Sequence, residues 1–192
     1  LNDAAATLPN SYNSVENITP LETPLSSTIN GAALATPVFL SLYAENDLRL
    51  DKYFAETDEK GFRKNKKAGS NNYLCTFRVG EIYLTAAEAA ARLGELSQAR
   101  TRLLELMRKR YAPEAYEAKS VVVNAMDKEA LVQEILDERA RELAFEGHRW
   151  FDLRRSTRPR LEKVLDGTRY VLEENDARYT LAIPKEAIEA NP

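Results

Sequence analysis

The chain has one cysteine, Cys75, and one histidine, His148. A lone cysteine forms no internal disulfide, and two such residues fall short of the ligand set of most zinc sites. Residues 1–35 contain no charged-then-apolar signal segment. No run approaches the ~20 apolar residues of a membrane-spanning helix. A Gly-rich phosphate loop, a nucleophile elbow and a zinc-protease helix are all absent from the sequence. With a net charge of −3, there is no overall electrostatic case for nucleic acid or an anionic membrane surface. What is present is 192 residues, 44% hydrophobic and 30% charged, the composition of a globular protein with one large or two small domains.

The pattern divides the chain at about residue 77. Residues 1–77 read as an irregular segment, interrupted by Pro9, Pro20 and Pro24. It carries one short helix, Thr36–Glu45, with Thr36 as N-cap and Pro37 in the first turn. Leu48–Phe54 reads as a short strand or irregular turn, and residues 56–72 as a solvated hairpin tip carrying Arg63, Lys64, Lys66 and Lys67. Residues 78–192 are helical in pattern. Arg78–Gly94 is Ala-rich, with a polar stripe of Arg78, Glu81, Thr85, Glu88 and Arg92 and a Gly94 stop. Leu96–Arg110 follows after a tight turn, with Leu96, Ala99, Leu103, Leu106 and Met107 facing inward, so the two form an αα-hairpin. Ala87, Gly94, Ala99 and bulky Leu103 stand at the spacing of a tetratricopeptide helical pair. Residues 111–126 read as a linker with Val121–Val123 as a possible strand. A third long helix then starts at Asp127 and runs to about Phe145, where Gly147 relaxes it. Tyr179, Leu181 and Ile183 alternate as in a short strand. The predicted class is therefore mainly α, with a tetratricopeptide-like hairpin, a third long helix, long irregular loops and a few short strands.

The densest charge lies in Glu138–Arg155, which also holds the only tryptophan, Trp150. On a wheel of about 100° per residue, Val132, Ile135, Leu136, Leu143 and Trp150 share one face. Arg139 and Glu146 fall within it, and Glu142 and Arg149 at its edge. Buried charges must pair, and the offsets 139/142 and 146/149 allow pairing across one turn. Arg139, Glu142, Glu146 and Arg149 are thus predicted to form a structural ion network. Two carboxylates on one face also raise a glycosidase pair. Such pairs, however, flank a cleft, whereas these lie a turn apart beside arginines. His148 lies opposite the buried face, at the wrong offset from Glu146 for a di-iron helix. No catalytic residue, metal site or cofactor is predicted. Aromatic rings are the usual sugar platforms, and Tyr43, Tyr53, Phe54, Phe62 and Tyr73 are the weak ligand-binding candidates.

Several of these motifs, in this order, resemble the C-terminal portion of the SusD/RagB family of outer-membrane nutrient-binding lipoproteins. They are Asn46-Asp47-Leu48-Arg49 with Tyr53-Phe54, and Arg78-Val79-Gly80-Glu81-Ile82-Tyr83-Leu84 leading to Ala87-Glu88-Ala89. The signature Glu138-Arg139, Glu142-Leu143, Phe145-Glu146-Gly147, Arg149-Trp150, Asp152-Leu153 and Arg155 follows, and Leu181, Ile183-Pro184 and Asn191-Pro192 close the series. The resemblance implies a portion of a longer cell-surface protein on the outer face of the outer membrane. It would be held there by a lipid anchor absent from this chain. It implies non-catalytic capture of oligosaccharides, or of peptides, for a SusC-like TonB-dependent transporter. The alternative is a tetratricopeptide-type scaffold for protein–protein contact, without glycan binding.

Overall fold

The computed structural model describes residues 8, 14–22, 34–67 and 73–190. They fall into two compact units, divided between Gly147 and His148. Asn191-Pro192 lies outside the described residues.

In the first unit, strand β1 (Asn17–Glu22) pairs antiparallel with β5 (Tyr73–Arg78). Strands β2 (Leu34–Ala35), β4 (Arg63–Asn65) and β3 (Phe54–Thr57) form a second small sheet in the order β2-β4-β3. Helix α1 (Pro37–Leu40) is shorter than predicted, although its Thr36 cap is in place, the hydroxyl accepting from Phe39 N–H at 3.2 Å. Leu48–Tyr53 is a helix, α2, not a strand. Asp47 nucleates it, its carboxylate accepting from Arg49 N–H. An Asp cap thus decides a stretch that side-chain alternation leaves ambiguous.

Helices α3 (Val79–Leu93) and α4 (Leu96–Met107) form the predicted hairpin. Gly94 turns it with φ 86°, a left-handed conformation that glycine adopts without a Cβ clash. Glu95 N–H closes on Ala90 C=O at 2.9 Å. Ala87, Ala91 and Ala99 are fully buried, so the two backbones approach closely over a core of Leu84, Leu103, Met107 and Ile135. Pro113–Ala125 forms helix α5 where a linker with a valine strand was predicted. Pro113 occupies its first turn, and only Val123 of the three valines is buried. One valine per turn suits a helix lying on the α4 face, which overrides the β-propensity of the run. Helix α6 (Lys128–Glu142) starts at the predicted cap, Asp127, which accepts from Ala130 N–H at 2.9 Å. It packs against both α3 and α4 and ends at Glu142, a turn earlier than predicted. Phe145 (φ 61°) and Gly147 (φ 86°) then turn the chain away. A second core gathers Tyr43, Tyr53 and Phe54 around Ala35. Phe54 meets Tyr43, Phe145 and Phe39 edge-on, with centroids 5.4, 6.1 and 6.3 Å apart.

The second unit holds α7 (Arg149–Arg155), β6 (Leu161–Leu165), β7 (Thr168–Leu172), a single 3₁₀ turn (Ala177–Tyr179) and α8 (Lys185–Glu189). The β6–β7 hairpin turns through Asp166 (φ 48°) and Gly167 (φ 76°). This is the Asp-Gly pair that favours two-residue hairpins. The predicted strand over Arg178–Pro184 does not form. Tyr179 is buried, but Leu181 and Ile183 stay exposed, so their alternation faces no sheet. Tyr179 instead stacks on Trp150 at 5.2 Å and donates its hydroxyl to Pro159 C=O.

Candidate functional site

The last turns of α6 carry Glu138, Arg139, Arg141 and Glu142, all buried. Ordinary amphipathic helices place such residues in solvent, and an isolated charge taken out of water costs several kcal/mol. The charges are tolerated because other segments deliver complementary ones to the same point. Arg49, on α2, donates to Glu138 at 2.7 Å and to Glu142 at 3.0 Å, while Asp47 takes its outer edge at 2.7 Å. Arg78, which closes β5, reaches Glu142 at 2.6 Å and Glu146 at 2.9 Å. Arg110, just past α4, bonds both oxygens of Glu142 at 2.9 Å. Its remaining side meets Glu16 at 2.6 Å, next to β1. Arg141 joins Glu138 at 2.8 Å and Glu134 at 2.6 Å. Lys67 closes the cluster from beyond β4, its ammonium on Glu146 and on the Glu142 and Ala144 carbonyls, 4.5 Å from the Tyr53 ring centre.

Glu142 is the centre, with three guanidiniums on one fully buried carboxylate. Burial alone would raise its carboxyl, but Arg110, Arg78 and Arg49 outweigh that and hold it well below the usual carboxylate range. Glu138 is likewise lowered, burial being overcome by Arg49 and Arg141, and Glu146 by Lys67 and Arg78. Burial pushes the Lys67 ammonium down to about 8 against the attraction of Glu146, which leaves it charged at neutral pH. A general acid needs the opposite tuning, a carboxyl raised toward neutrality. These carboxylates are suited to holding cations.

Of the four predicted network residues, Glu142 and Glu146 lie in this cluster. Arg139 is buried and donates to the Thr85 hydroxyl at 3.2 Å. Arg149 is exposed and opens α7 in the second unit, because the chain leaves helical geometry after Glu142 and a continuous wheel no longer describes it. Arg78 and Glu88, read as part of a polar stripe, are buried, and so is Lys67, predicted on a solvated hairpin tip. Tyr43, Tyr53 and Phe54 are 7%, 0% and 1% exposed. They are core residues, and as ligand platforms they are corrected by the aromatic cluster that consumes their ring faces. Phe62 is half-buried beside the β3–β4 turn. Tyr73 pairs its backbone with Glu22, and its side chain lies outside the described residues. The residues missed by sequence were Asp47, Arg49, Arg110, Glu138 and Arg141. The signal available was Asp47 two positions before Arg49, a spacing at which the capping carboxylate also takes the Arg49 guanidinium.

Gly80 records how tightly this cluster is packed. A Cβ there would stand 2.6 Å from Arg78 Nη1 and 3.1 Å from Glu142 Oε1. In an open helix Gly→Ala stabilises by about 1 kcal/mol. Here Arg78 cannot swing aside without leaving Glu142 and Glu146. Gly80→Ala is therefore expected to destabilise by about 1–3 kcal/mol, read as a lower urea midpoint. A raised midpoint would mean that the cluster has room to spare.

The chain is a mainly helical framework with a few short strands, cross-tied by buried Arg–Glu pairs. Residues 32–192 match the SusD family, and the chain belongs to that family. Two solved structures share the fold. One is a SusD-like carbohydrate binding protein from Bacteroides vulgatus, 18% identical with a TM-score of 0.64, over 95% of this chain and 48% of that one. The other is a SusD superfamily protein from Bacteroides fragilis, 24% identical with a TM-score of 0.59, over 80% of this chain and 34% of that one. The chain thus spans half or less of the length of each. No curated protein matches it.

Proposed function

We propose that the chain serves in non-catalytic capture of oligosaccharides at the outer face of the outer membrane, for uptake through a SusC-like TonB-dependent transporter. The observation that carries this reading is the family match over residues 32–192, which takes in every segment of the ion cluster except Glu16. The carboxylates best placed for acid–base work are committed to cations, which supports binding over turnover. Among the described residues no helix is long and apolar enough to cross a membrane. Peptides are the alternative ligand class. The α3–α4 hairpin favours a second reading, a tetratricopeptide-type scaffold that contacts proteins alone.

Calorimetry against a panel of oligosaccharides and peptides, with a reducing-end assay run in parallel, tests this. Saturable glycan binding without released product is expected. Hydrolysis, or co-purification of a transporter barrel with no glycan bound, would overturn it.

A further inference from the structure

The second unit holds a sheet that lacks a strand and a strand-like segment that lacks a sheet. Strands β6 and β7 form a two-stranded hairpin with Val164 and Tyr170 exposed on its opposite faces. Two strands alone are marginal in water, and a third strand or a covering layer is what makes a hairpin persist. The β7 edge is covered in part, since the Arg178 guanidinium donates to Val171 C=O at 2.9 Å. The β6 edge is open: among the described residues, no backbone bond reaches Leu161–Leu165 from any segment except β7. An unpaired edge of this kind is a template for another strand.

From Thr180 to Ala190 the chain is an arm in which every residue is exposed. Leu181 and Ile183 are 72% and 67% exposed, and Leu181-Ala182-Ile183 makes no backbone hydrogen bond among the described residues. The alternation of Tyr179, Leu181 and Ile183 suits a pleated strand with one covered face. Pro184, which has no N–H, ends such a strand and opens α8. Helix α8 has five residues, none of them buried, and a helix that short has little stability in water without a surface to pack on. Tyr179 is fixed by its stack on Trp150, and the arm that follows gives no backbone bond to its own hairpin. One chain thus carries both halves of a missing pairing, which two copies complete by exchange. The charges agree. Lys163 on β6 and Glu186 in α8 are without ion-pair partners among the described residues. Seating Ile183 beside Lys163 leaves Glu186 one helical turn further on, where its carboxylate meets that ammonium.

We propose that two copies of this chain form a reciprocal dimer, the Thr180–Pro184 arm of each adding a third strand to the β6 edge of the other. The same patch serves on both copies, so the contact is two-fold and closed. Main-chain bonds along β6 supply affinity, and the Leu181 and Ile183 side chains fix the seating.

The test is sedimentation equilibrium of the whole chain from about 10 μM to about 1 mM, with amide hydrogen exchange followed by NMR at both ends of that range. A reversible monomer–dimer equilibrium is expected, with protection of the Leu161–Leu165 and Leu181–Ile183 amides rising together as the dimer forms. Ala182→Pro removes a strand N–H at a residue exposed in the monomer. It is expected to weaken dimerisation about tenfold or more, with the helical circular dichroism unchanged. Lys163→Glu is expected to weaken it several-fold, and the double variant Lys163→Glu with Glu186→Lys to restore it, a rescue that unspecific apolar association does not give. A monomer throughout the range, or a dimer indifferent to Ala182→Pro, would overturn the proposal. Open-ended polymers would overturn it too, because reciprocal exchange closes at two copies.

Discussion

Glu142→Gln is expected to leave the chain largely unfolded at room temperature or close to it. The substitution keeps the shape of the side chain and removes one charge. That charge is shared by Arg49, Arg78 and Arg110, each 0–1% exposed. Removing one partner from a buried pair costs about 3–5 kcal/mol, and here three guanidiniums lose the same negative charge and face an amide N–H in place of one carboxylate oxygen. A typical domain has about 5–15 kcal/mol in total, so the loss is a large share of what is available. The contrast is Glu189→Gln in α8, where Lys185 approaches at 3.4 Å with both side chains mostly in solvent. Exposed pairs of that kind contribute little, so its urea midpoint is expected to match wild type. Equal midpoints for Glu142→Gln and wild type would remove the cluster from any structural role.

Acid is expected to unfold the chain through the same carboxylates. Glu138, Glu142 and Glu146 are all lowered from the ordinary value of 4.5 in the folded protein. The unfolded chain then takes up protons first as pH falls. The stability these groups contribute is fully present above about pH 4.5 and is lost on descending toward their folded values. Tm is therefore expected to hold steady between pH 7 and pH 5.5, then to fall by at least about 5 °C by pH 3.5. A melting temperature flat from pH 7 to pH 3.5 would show that the carboxyls titrate alike in both states.

These two effects concern a cluster that the sequence revealed only in part. Its local half was legible. Asp127 and Thr36 announced helix starts through capping chemistry, and Ala87, Gly94 and Ala99 announced a close hairpin. The excess of charge on the inner face of α6 announced that something must neutralise it. The partners were assigned to the nearest arginines on the helix because sequence offsets speak only for neighbours one turn apart. The actual partners are distant: Arg49 stands 89 positions from Glu138, and Arg78 64 positions from Glu142. Nothing in local periodicity reports a pairing of that span. Lys67 was placed on a solvated hairpin tip, and Arg78 on a polar helix stripe, because these are the commoner settings for such residues. The aromatic candidates failed for a related reason. Tyr43, Tyr53 and Phe54 fall in an irregular stretch, which reads as surface, yet α2 and two short strands fold that stretch over a second core. Asp166-Gly167, which turns the hairpin of the second unit, was a further local signal overlooked.

The account stands on Glu142 as a permanently ionised tie rather than a proton donor. Its carboxyl resonance can be followed by ¹³C NMR with labelled glutamate, assigned through Glu142→Gln or, if that variant does not fold, through Glu142→Asp. The carboxyl is expected to remain ionised, with no inflection at or above pH 4.5, for as long as the chain stays folded. An inflection at or above pH 4.5 in the folded protein would contradict the account, because it would mean that the three arginines do not hold the charge in place.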